Sequence, residues 1–267
     1  MSNDAILLDL ADGLARVTLN RPDRLNAVDP AAIARWREIG ELVASRDDVR
    51  AVLLDASGRA FCAGGDLRAM SELAAATAAD ADATGRAVTG GAAITALADE
   101  IHAGHRAFRD SGVPIVAAVQ GIVAGGGLGF MLVADVIVAS EAAAFQSGYA
   151  DVGLTPDCGV SWLLPEAVGQ RRALELTLTS RRLSAAEALD WGLVTEVVAP
   201  DAVADRALEI ANGWLAGASG AFGQAKRLVR AAAERSFADA LDDEARTIGE
   251  AFDTPEAQAR IAAFTRR

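Results

Sequence analysis

Hydrophobic and polar residues alternate near the amino terminus and then give way to continuous apolar runs. Ala5–Leu10 and Leu14–Asn20 alternate on either side of an Ala-Asp-Gly turn, which predicts a β-hairpin. Val49–Asp55 and the run from Val113 to Val119 are mostly apolar, as is typical of strands buried on both faces. Shorter strands are predicted over Val136–Ala139, around Phe145 and over Leu193–Val198.

Helical periodicity appears between and after these strands. Asp29 followed by Pro30 predicts the start of a helix whose apolar face includes Ile33 and Trp36. Further helices are predicted over Ile94–Asp110, from Val160 onward, and from a Ser184/Glu187 capping box to Gly192. After Asp201 the pattern is entirely helical, and Thr254 and Pro255 open the last helix.

These elements predict an α/β fold in two parts. Residues 1–200 form an α/β core, and residues 201–267 form a helical appendage. Within the first part, the segment Glu72–Ala93 is rich in Ala, Thr, Asp and Gly and shows only a weak pattern of apolar and polar positions. We expect that segment to be a mobile or partly helical flap.

The segment Gly121–Asp135, GIVAGGGLGFMLVAD, places three consecutive glycines between a predicted strand and a short apolar helix. Glycine lets a ligand approach the backbone closely, and the unpaired N–H groups where a helix begins suit an anion or a developing oxyanion. Two other readings compete. The stretch could be a purely structural turn. Alternatively, because no charged residue occurs from Gly112 to Ala134, the stretch is long enough to span a membrane, but Pro114 and the glycines argue against that interpretation.

Composition narrows the class of protein. The chain has 267 residues, 52% of them hydrophobic, which is ample for a large core. A net charge of −12 argues against nucleic acid or an anionic membrane surface as a general partner. Two cysteines, Cys62 and Cys158, give no disulfide framework. Because the first residues also carry acids where a secretory signal needs bases, we expect a cytoplasmic protein.

The two histidines do not indicate a metal site. His102 and His105 lie on one face of the Ile94–Asp110 helix, but no third ligand stands at a plausible spacing. We therefore expect no metal and interpret both as solvated helix residues.

Four motifs in order resemble the crotonase (enoyl-CoA hydratase/isomerase) superfamily, most closely its epoxyphenylacetyl-CoA isomerase and related isomerase branches. They are LNRPDRLNA at 19–27, FCAGGDL at 61–67, GIVAGGGLG at 121–129 and LTPDCGVSWLLPEAVG at 154–169, followed by RRLSAAEALDWGLVTEVV at 181–198. The resemblance covers residues 5 to 200 and continues loosely through the tail. It implies a spiral of ββα units and an enzyme whose substrate is an acyl-CoA thioester, with no separate cofactor.

The resemblance also implies roles for individual residues. The backbone N–H groups of Gly65 and Gly126 would hold the enolate oxygen of the thioester. Arg24 would contact a CoA phosphate, although a merely solvated arginine is a fair alternative for it and for Arg68. The implied substrate- and CoA-binding residues are Arg24, Ala27, Ala63, Gly65, Asp66, Leu67, Arg68, Gly126, Tyr149 and Lys226.

The chain departs from the best-known family pattern at the acid/base residues. Two-glutamate hydratases carry carboxylates at positions that correspond here to Gly129 and Tyr149. Asp157, a lone acid in an apolar loop, stands where the isomerase-like branches carry theirs, although it could instead cap the following helix. We therefore expect an isomerase that moves one proton through Asp157. Enoyl-CoA hydration and a catalytically silent acyl-CoA binder are the alternatives.

The helical tail carries apolar residues on several faces, including Trp214, Phe222, Phe237 and Phe252. Such a surface should dock on something, and members of the resembled family pack it into trimers or pairs of trimers. We therefore expect a homotrimer or hexamer, with Lys226 near a CoA site.

Overall fold

Two β-sheets organise the chain, whose computed structural model describes residues 4–84 and 89–266. The ten strands among these residues are β1 (Ile6–Ala11), β2 (Leu14–Leu19), β3 (Ala51–Ala56), β4 (Ala60–Cys62), β5 (Ile115–Val119), β6 (Ile122–Ala124), β7 (Val136–Ser140), β8 (Ala144–Gln146), β9 (Arg182–Ser184) and β10 (Glu196–Val198). The larger sheet has the order β1-β2-β3-β5-β7-β10, and the smaller one has the order β4-β6-β8-β9. Apart from the antiparallel pairs β1/β2 and β8/β9, neighbouring strands are parallel.

Helices follow the strand pairs and then form the carboxyl-terminal part. They are α1 (Pro30–Ser45), α2 (Leu67–Thr84), α3 (Gly90–Asp110), α4 (Gly127–Leu132), α5 (Val160–Leu178), α6 (Ala185–Trp191), α7 (Val203–Ala216), α8 (Ser219–Ala231), α9 (Phe237–Phe252) and α10 (Pro255–Phe264). The capping box of Ser184 and Glu187, the Asp29 cap of α1 and the Thr254 cap of α10 are confirmed.

A repeated ββα unit explains the two sheets. In three successive units, one strand enters the larger sheet, the next enters the smaller sheet, and a helix follows: β3 and β4 with α2, β5 and β6 with α4, and β7 and β8 with α5. Each sheet therefore receives its strands from different units, and their parallel direction brings equivalent loops to the same edge. This is the α/β spiral that the resemblance implies, and the expected fold class is confirmed.

The larger sheet is covered on both faces, which accounts for its continuous apolar strands. Val52 and Leu54 of β3 belong to the main core, whereas Leu53 packs into a second cluster with Val203 and Ala207 of α7. The helix α7 thus completes the packing of the sheet. Residue 200 marks a change from mixed to all-helical structure, while the division into two functional parts stays a prediction.

His105 differs from the sequence interpretation. It is buried, and its Nδ1 lies 3.0 Å from the indole Nε1 of Trp36, which donates a hydrogen bond to it. Phe108 and Phe130 complete the aromatic cluster around Trp36. The prediction that both histidines are solvated is therefore wrong for His105. The reason is that α3 packs closely against α1, with Gly104 directly beside the Trp36 ring, so this face of α3 is covered.

Other differences concern the lengths of elements. The Glu72–Ala93 segment is helical through Thr84 and again from Gly90, while residues 85–88 lie outside the described part. The strand predicted over Leu193–Val198 is confined to β10, and α5 is interrupted at Gly169, where φ is 77°. Within the described ranges, no helix is long and apolar enough to cross a membrane. The uncharged stretch from Gly112 to Ala134 instead supplies β5, β6 and α4.

Candidate active site

Three glycine-containing loops meet at one edge of the smaller sheet. Strands β4, β6 and β8 are parallel neighbours, so the loops that follow them leave from the same side. The first two touch, since a Cβ added to Gly64 would lie 3.1 Å from the amide nitrogen of Gly126. Gly64 and Gly125 have φ of 90° and 54°, a backbone conformation that favours glycine. The third loop carries Ser147, Gly148 and Tyr149.

The amides of Gly65 and Gly126 are free to bind a ligand. Val28 pairs with the groups on either side of Gly65, since its N–H donates to Gly64 O at 2.8 Å and its carbonyl accepts from Asp66 N at 2.9 Å. Gly126 precedes α4, and its carbonyl accepts from Gly129 N at 2.9 Å. In the described ranges, neither the Gly65 nor the Gly126 N–H donates a hydrogen bond to protein. Two free amides on adjoining loops form a candidate oxyanion hole.

The side chains of Tyr149, Asp157 and Cys158 surround Gly126. A Cβ added to Gly126 would lie 3.6 Å from Asp157 Oδ1, 3.6 Å from the Tyr149 hydroxyl and 2.9 Å from Cys158 Sγ. The Tyr149 hydroxyl donates a 2.5 Å hydrogen bond to Asp157 Oδ1. The structure therefore brings one carboxylate, held by a phenol, to the second of the two free amides.

Asp157 does not cap the following helix. The N-cap residue of α5 is Gly159, in the left-handed conformation, and no side chain caps the first turn of the helix. The main-chain carbonyl of Asp157 accepts from Val160 N at 2.9 Å, but its carboxylate is directed to Tyr149 instead. The helix-cap alternative is thus wrong, and the half-buried carboxylate remains available for chemistry.

Neither polar neighbour of Asp157 competes with it as a base. Burial, followed by the adjacent Cys158 and Asp157 side chains, raises the pKa of Tyr149 well above its usual range. Burial and then the nearby carboxylate also raise the pKa of the Cys158 thiol. Both groups keep their protons near neutral pH, so each is a hydrogen-bond donor to Asp157.

Gly129 contributes no side chain, and the structure explains why none could be accommodated. A Cβ at this position would lie less than 3.0 Å from the carbonyl oxygen and carbonyl carbon of Cys158. The obstacle is backbone, which cannot rotate aside as a flexible side chain would. Of the two positions where the resemblance places hydratase carboxylates, one is therefore filled by the Cys158 main chain and the other carries Tyr149.

The loop that follows β2 is fastened to the first glycine loop by Arg21, which sequence reasoning missed. Its guanidinium forms ion pairs of 3.0 Å with both Asp29 and Asp66 and donates to the carbonyl of Ala27. Burial raises the pKa of Asp66, but hydrogen bonds from Ala69 N and Arg21 outweigh it and lower the net value. The sequence contains Arg21 and Arg24 in one motif and offers no signal for which of them would be paired.

The remaining predicted binding residues lie around this junction with different exposures. Arg24 is exposed, and Leu67 is 49% exposed at the start of α2. Arg68 is also exposed and pairs with Glu72 at 2.9 Å. Ala27 and Ala63 are half-buried, and Ala63 N donates to Leu25 O at 3.0 Å. The geometry thus leaves Arg24 as a cation available to a phosphate, while Asp66 is engaged in holding the loops together.

Comparison with known proteins identifies the family. The family model described as enoyl-CoA hydratase/isomerase matches residues 9–267. The chain belongs to the enoyl-CoA hydratase/isomerase family. It is therefore an enzyme of that family, and its substrate is an acyl-CoA thioester.

Relatives of this enoyl-CoA hydratase/isomerase carry both kinds of name. It is 32% identical over 237 residues to the 1,2-epoxyphenylacetyl-CoA isomerase of Escherichia coli, covering 89% of this chain and 86% of that protein. It is 34% identical to a Rhodobacter capsulatus protein named "Probable enoyl-CoA hydratase", covering 99% and 96%. The crystal structure of an enoyl-CoA hydratase of Mycobacterium smegmatis superposes with a TM-score of 0.87 at 30% identity, covering 98% and 96%.

Lys226 of this enoyl-CoA hydratase/isomerase is not brought to the glycine loops within one chain. Its side chain is 7% exposed, and its Nζ lies 3.0 Å from Asp135 and 2.7 Å from the carbonyl of Val113. Val113 and Asp135 precede β5 and β7 of the larger sheet, whereas the glycine loops follow strands of the smaller sheet. Burial lowers the pKa of Lys226 to about 8. In a single chain, its predicted position near the CoA site does not follow from this geometry.

Proposed function

We propose that this enzyme is an acyl-CoA isomerase that shifts a double bond by moving one proton. Asp157 takes a proton from the α-carbon of a 3-enoyl thioester. The electron pair then spreads into the thioester carbonyl as a dienolate, whose oxygen lies between the Gly65 and Gly126 amides. Asp157 returns the proton at the γ-carbon, so the double bond ends between the α- and β-carbons. The reaction needs no cofactor and no substrate other than the CoA ester.

The observation that carries this proposal is the contact between Gly129 and the Cys158 carbonyl. Adding water to a double bond needs a group that activates the water as well as one that protonates the α-carbon. The Gly129 position has no room for such a group, and Tyr149 is a donor. A 1,3-proton shift needs a single carboxylate, because the same group returns the proton that it took.

The role of the two amides follows from where charge develops. Proton removal beside a thioester places negative charge on its oxygen, and fixed N–H groups aimed at that oxygen need no reorganisation. Removing one such donor typically lowers kcat by about 10²–10³-fold. The Gly65 and Gly126 amides are suited to this because they have no other hydrogen-bond acceptor within residues 4–84 and 89–266.

The test is turnover of a panel of 2-enoyl-, 3-enoyl- and arylacetyl-CoA thioesters by the wild type and by Asp157→Asn. We expect isomerisation of a 3-enoyl ester, with hydration of crotonyl-CoA much slower. Asp157→Asn should lower isomerisation by about 10²–10⁴-fold. Asp151→Asn is the matched control, because Asp151 is exposed in the preceding turn and its carboxylate accepts a hydrogen bond from the Ser180 hydroxyl. Rapid hydration by the wild type would establish the hydratase alternative.

Binding measurements separate a slow enzyme from a silent binder. Acyl-CoA should raise the melting temperature of the wild type and of Asp157→Asn alike, by mass action. Arg24→Ala should weaken this effect, and high salt should weaken it in the wild type, if Arg24 contacts a phosphate. Arg46→Ala is the control, since Arg46 is also exposed. It precedes β3, whereas Arg24 follows the parallel strand β2, so the two arginines lie at opposite edges of the larger sheet. Stabilisation without turnover of any ester would indicate a binder.

A further inference from the structure

The Tyr149 hydroxyl contacts two oxygen atoms of Asp157. Besides the 2.5 Å bond to Oδ1, it lies 3.4 Å from the main-chain carbonyl of the same residue. Tyr149 is 7% exposed, so little water competes for its hydroxyl. A short hydrogen bond from a buried donor fixes the carboxylate in one orientation and makes Oδ1 the less basic of its two oxygens.

Tyr149 also holds the backbone between itself and Asp157. Its carbonyl accepts from Val152 N at 3.2 Å and from Leu154 N at 3.0 Å, which closes the short turn that follows it. At the far end, Cys158 has a φ of 51°, unusual for a residue other than glycine, and packs against Gly126 and Gly129. Tyr149 therefore joins the two ends of the segment that presents Asp157.

We propose that Tyr149 is a positioning residue, whose phenol holds Asp157 as a carboxylate with Oδ2 directed to the carbon that loses the proton. This inference rests on the proposed isomerase function. Tyr149 acts through Asp157, since its own proton stays on the phenol. The role differs from that of a substrate-binding residue, which the resemblance implies for Tyr149.

The titratable groups that face this pair are few. Cys158 interacts with the carboxylate, and Cys62 acts on Cys158 from β4. Burial raises the pKa of Cys62 to about 12 and that of Cys158 above its usual range, so both thiols are neutral across the working pH. Loss of the phenol should therefore act on Asp157 through the lost hydrogen bond, and not through a change in the charge of either thiol.

Tyr149→Phe tests the inference, because it removes the hydroxyl and keeps the ring. We expect kcat for isomerisation to fall about 10–100-fold, the worth of a hydrogen bond to a charged group, with KM nearly unchanged. In an Asp157→Asn background the same substitution should have no further effect. Wild-type kcat in Tyr149→Phe, or an equal loss in both backgrounds, would overturn the inference.

A spectroscopic readout keeps this test separate from that of the proposed function. Tyr149 is the only tyrosine in the chain, so near-ultraviolet absorbance reports its ionisation directly. The native phenol should titrate well above pH 10.0, its usual value, and Asp157→Asn should move its titration to lower pH by removing the charge. Identical titrations in the wild type and the variant would refute the contact. If the wild type lacked isomerase activity but the titration shifted, only the proposed function would fail.

Discussion

The carbonyl oxygen of Cys158 occupies the space into which a side chain on Gly129 would project. This contact joins α4, which begins directly after Gly126, to the turn that carries Asp157. Its consequence is that Gly126 N–H and the Asp157 carboxylate are held at a fixed separation by main-chain packing. The same contact excludes a carboxylate at residue 129. It therefore affects both the position of Asp157 and the choice between isomerisation and hydration.

Gly129→Ala should therefore damage the site without altering any polar side chain. The new methyl would displace the Cys158 backbone, and we expect a loss of about 1–3 kcal/mol in the free energy of unfolding, as in other overpacked cores. Isomerisation should fall because Asp157 moves with Cys158. Denaturant unfolding and turnover of a 3-enoyl-CoA are the measurements. Gly213→Ala in α7 is the control, because its Cβ would meet nothing within 4 Å, and alanine there should stabilise by about 0.5–1 kcal/mol. A fully active, fully stable Gly129→Ala would contradict the packing argument.

His105 should make the protein sensitive to acid. Burial, with a smaller effect of His102, lowers the pKa of His105 from 6.5 to about 3. Between these values the unfolded chain binds a proton that the folded chain does not, so stability is lost as the pH falls from about 6.5 towards 3. The slope from this group reaches about 1.4 kcal/mol per pH unit. His105→Asn keeps an acceptor for Trp36 and should remove that slope.

To compare the wild type with His105→Asn, the free energy of unfolding must be measured as a function of pH and not at one pH, because the substitution also changes packing. His102→Asn on the same helix is the matched control, since His102 is only half-buried. A wild-type slope that survives in His105→Asn would show that other groups cause the acid sensitivity.

One face of α9 should form contacts between copies of the chain. Phe237, Leu241, Ile248 and Phe252 are 80%, 47%, 72% and 54% exposed, and their spacing places them on one side of the helix. We expect a trimer or hexamer by light scattering at micromolar concentration, and Ile248→Asp should shift the mass towards that of the monomer. Glu250→Ala is the control, because residue 250 lies about half a turn away from that face. A monomeric wild type would refute this expectation.

Local chemistry in the sequence was sufficient to predict the strands, the helix starts and the glycine loops of this protein. Apolar runs ending in glycine loops predicted buried strands followed by close backbone approach, because only glycine adopts the conformations of Gly64 and Gly125 freely. The caps at Asp29, Ser184 and Thr254 were readable because a helix start needs a side-chain acceptor within three residues. That residues 61–67 and 121–129 belong to one site was implied by the resemblance to the crotonase superfamily.

Tertiary structure alone decided which side chains in these loops are free and which are engaged. Arg21 and Arg24 have the same chemistry, yet the approach of two loops pairs one with Asp66 and leaves the other exposed. Likewise His105 is buried because α1 crosses α3 there, a contact between residues far apart in sequence. The bond from Tyr149 to Asp157 and the closure of the Gly129 position by Cys158 depend on the path of a turn. Side-chain availability is set by what packs against a residue, and that information lies in distant parts of the chain.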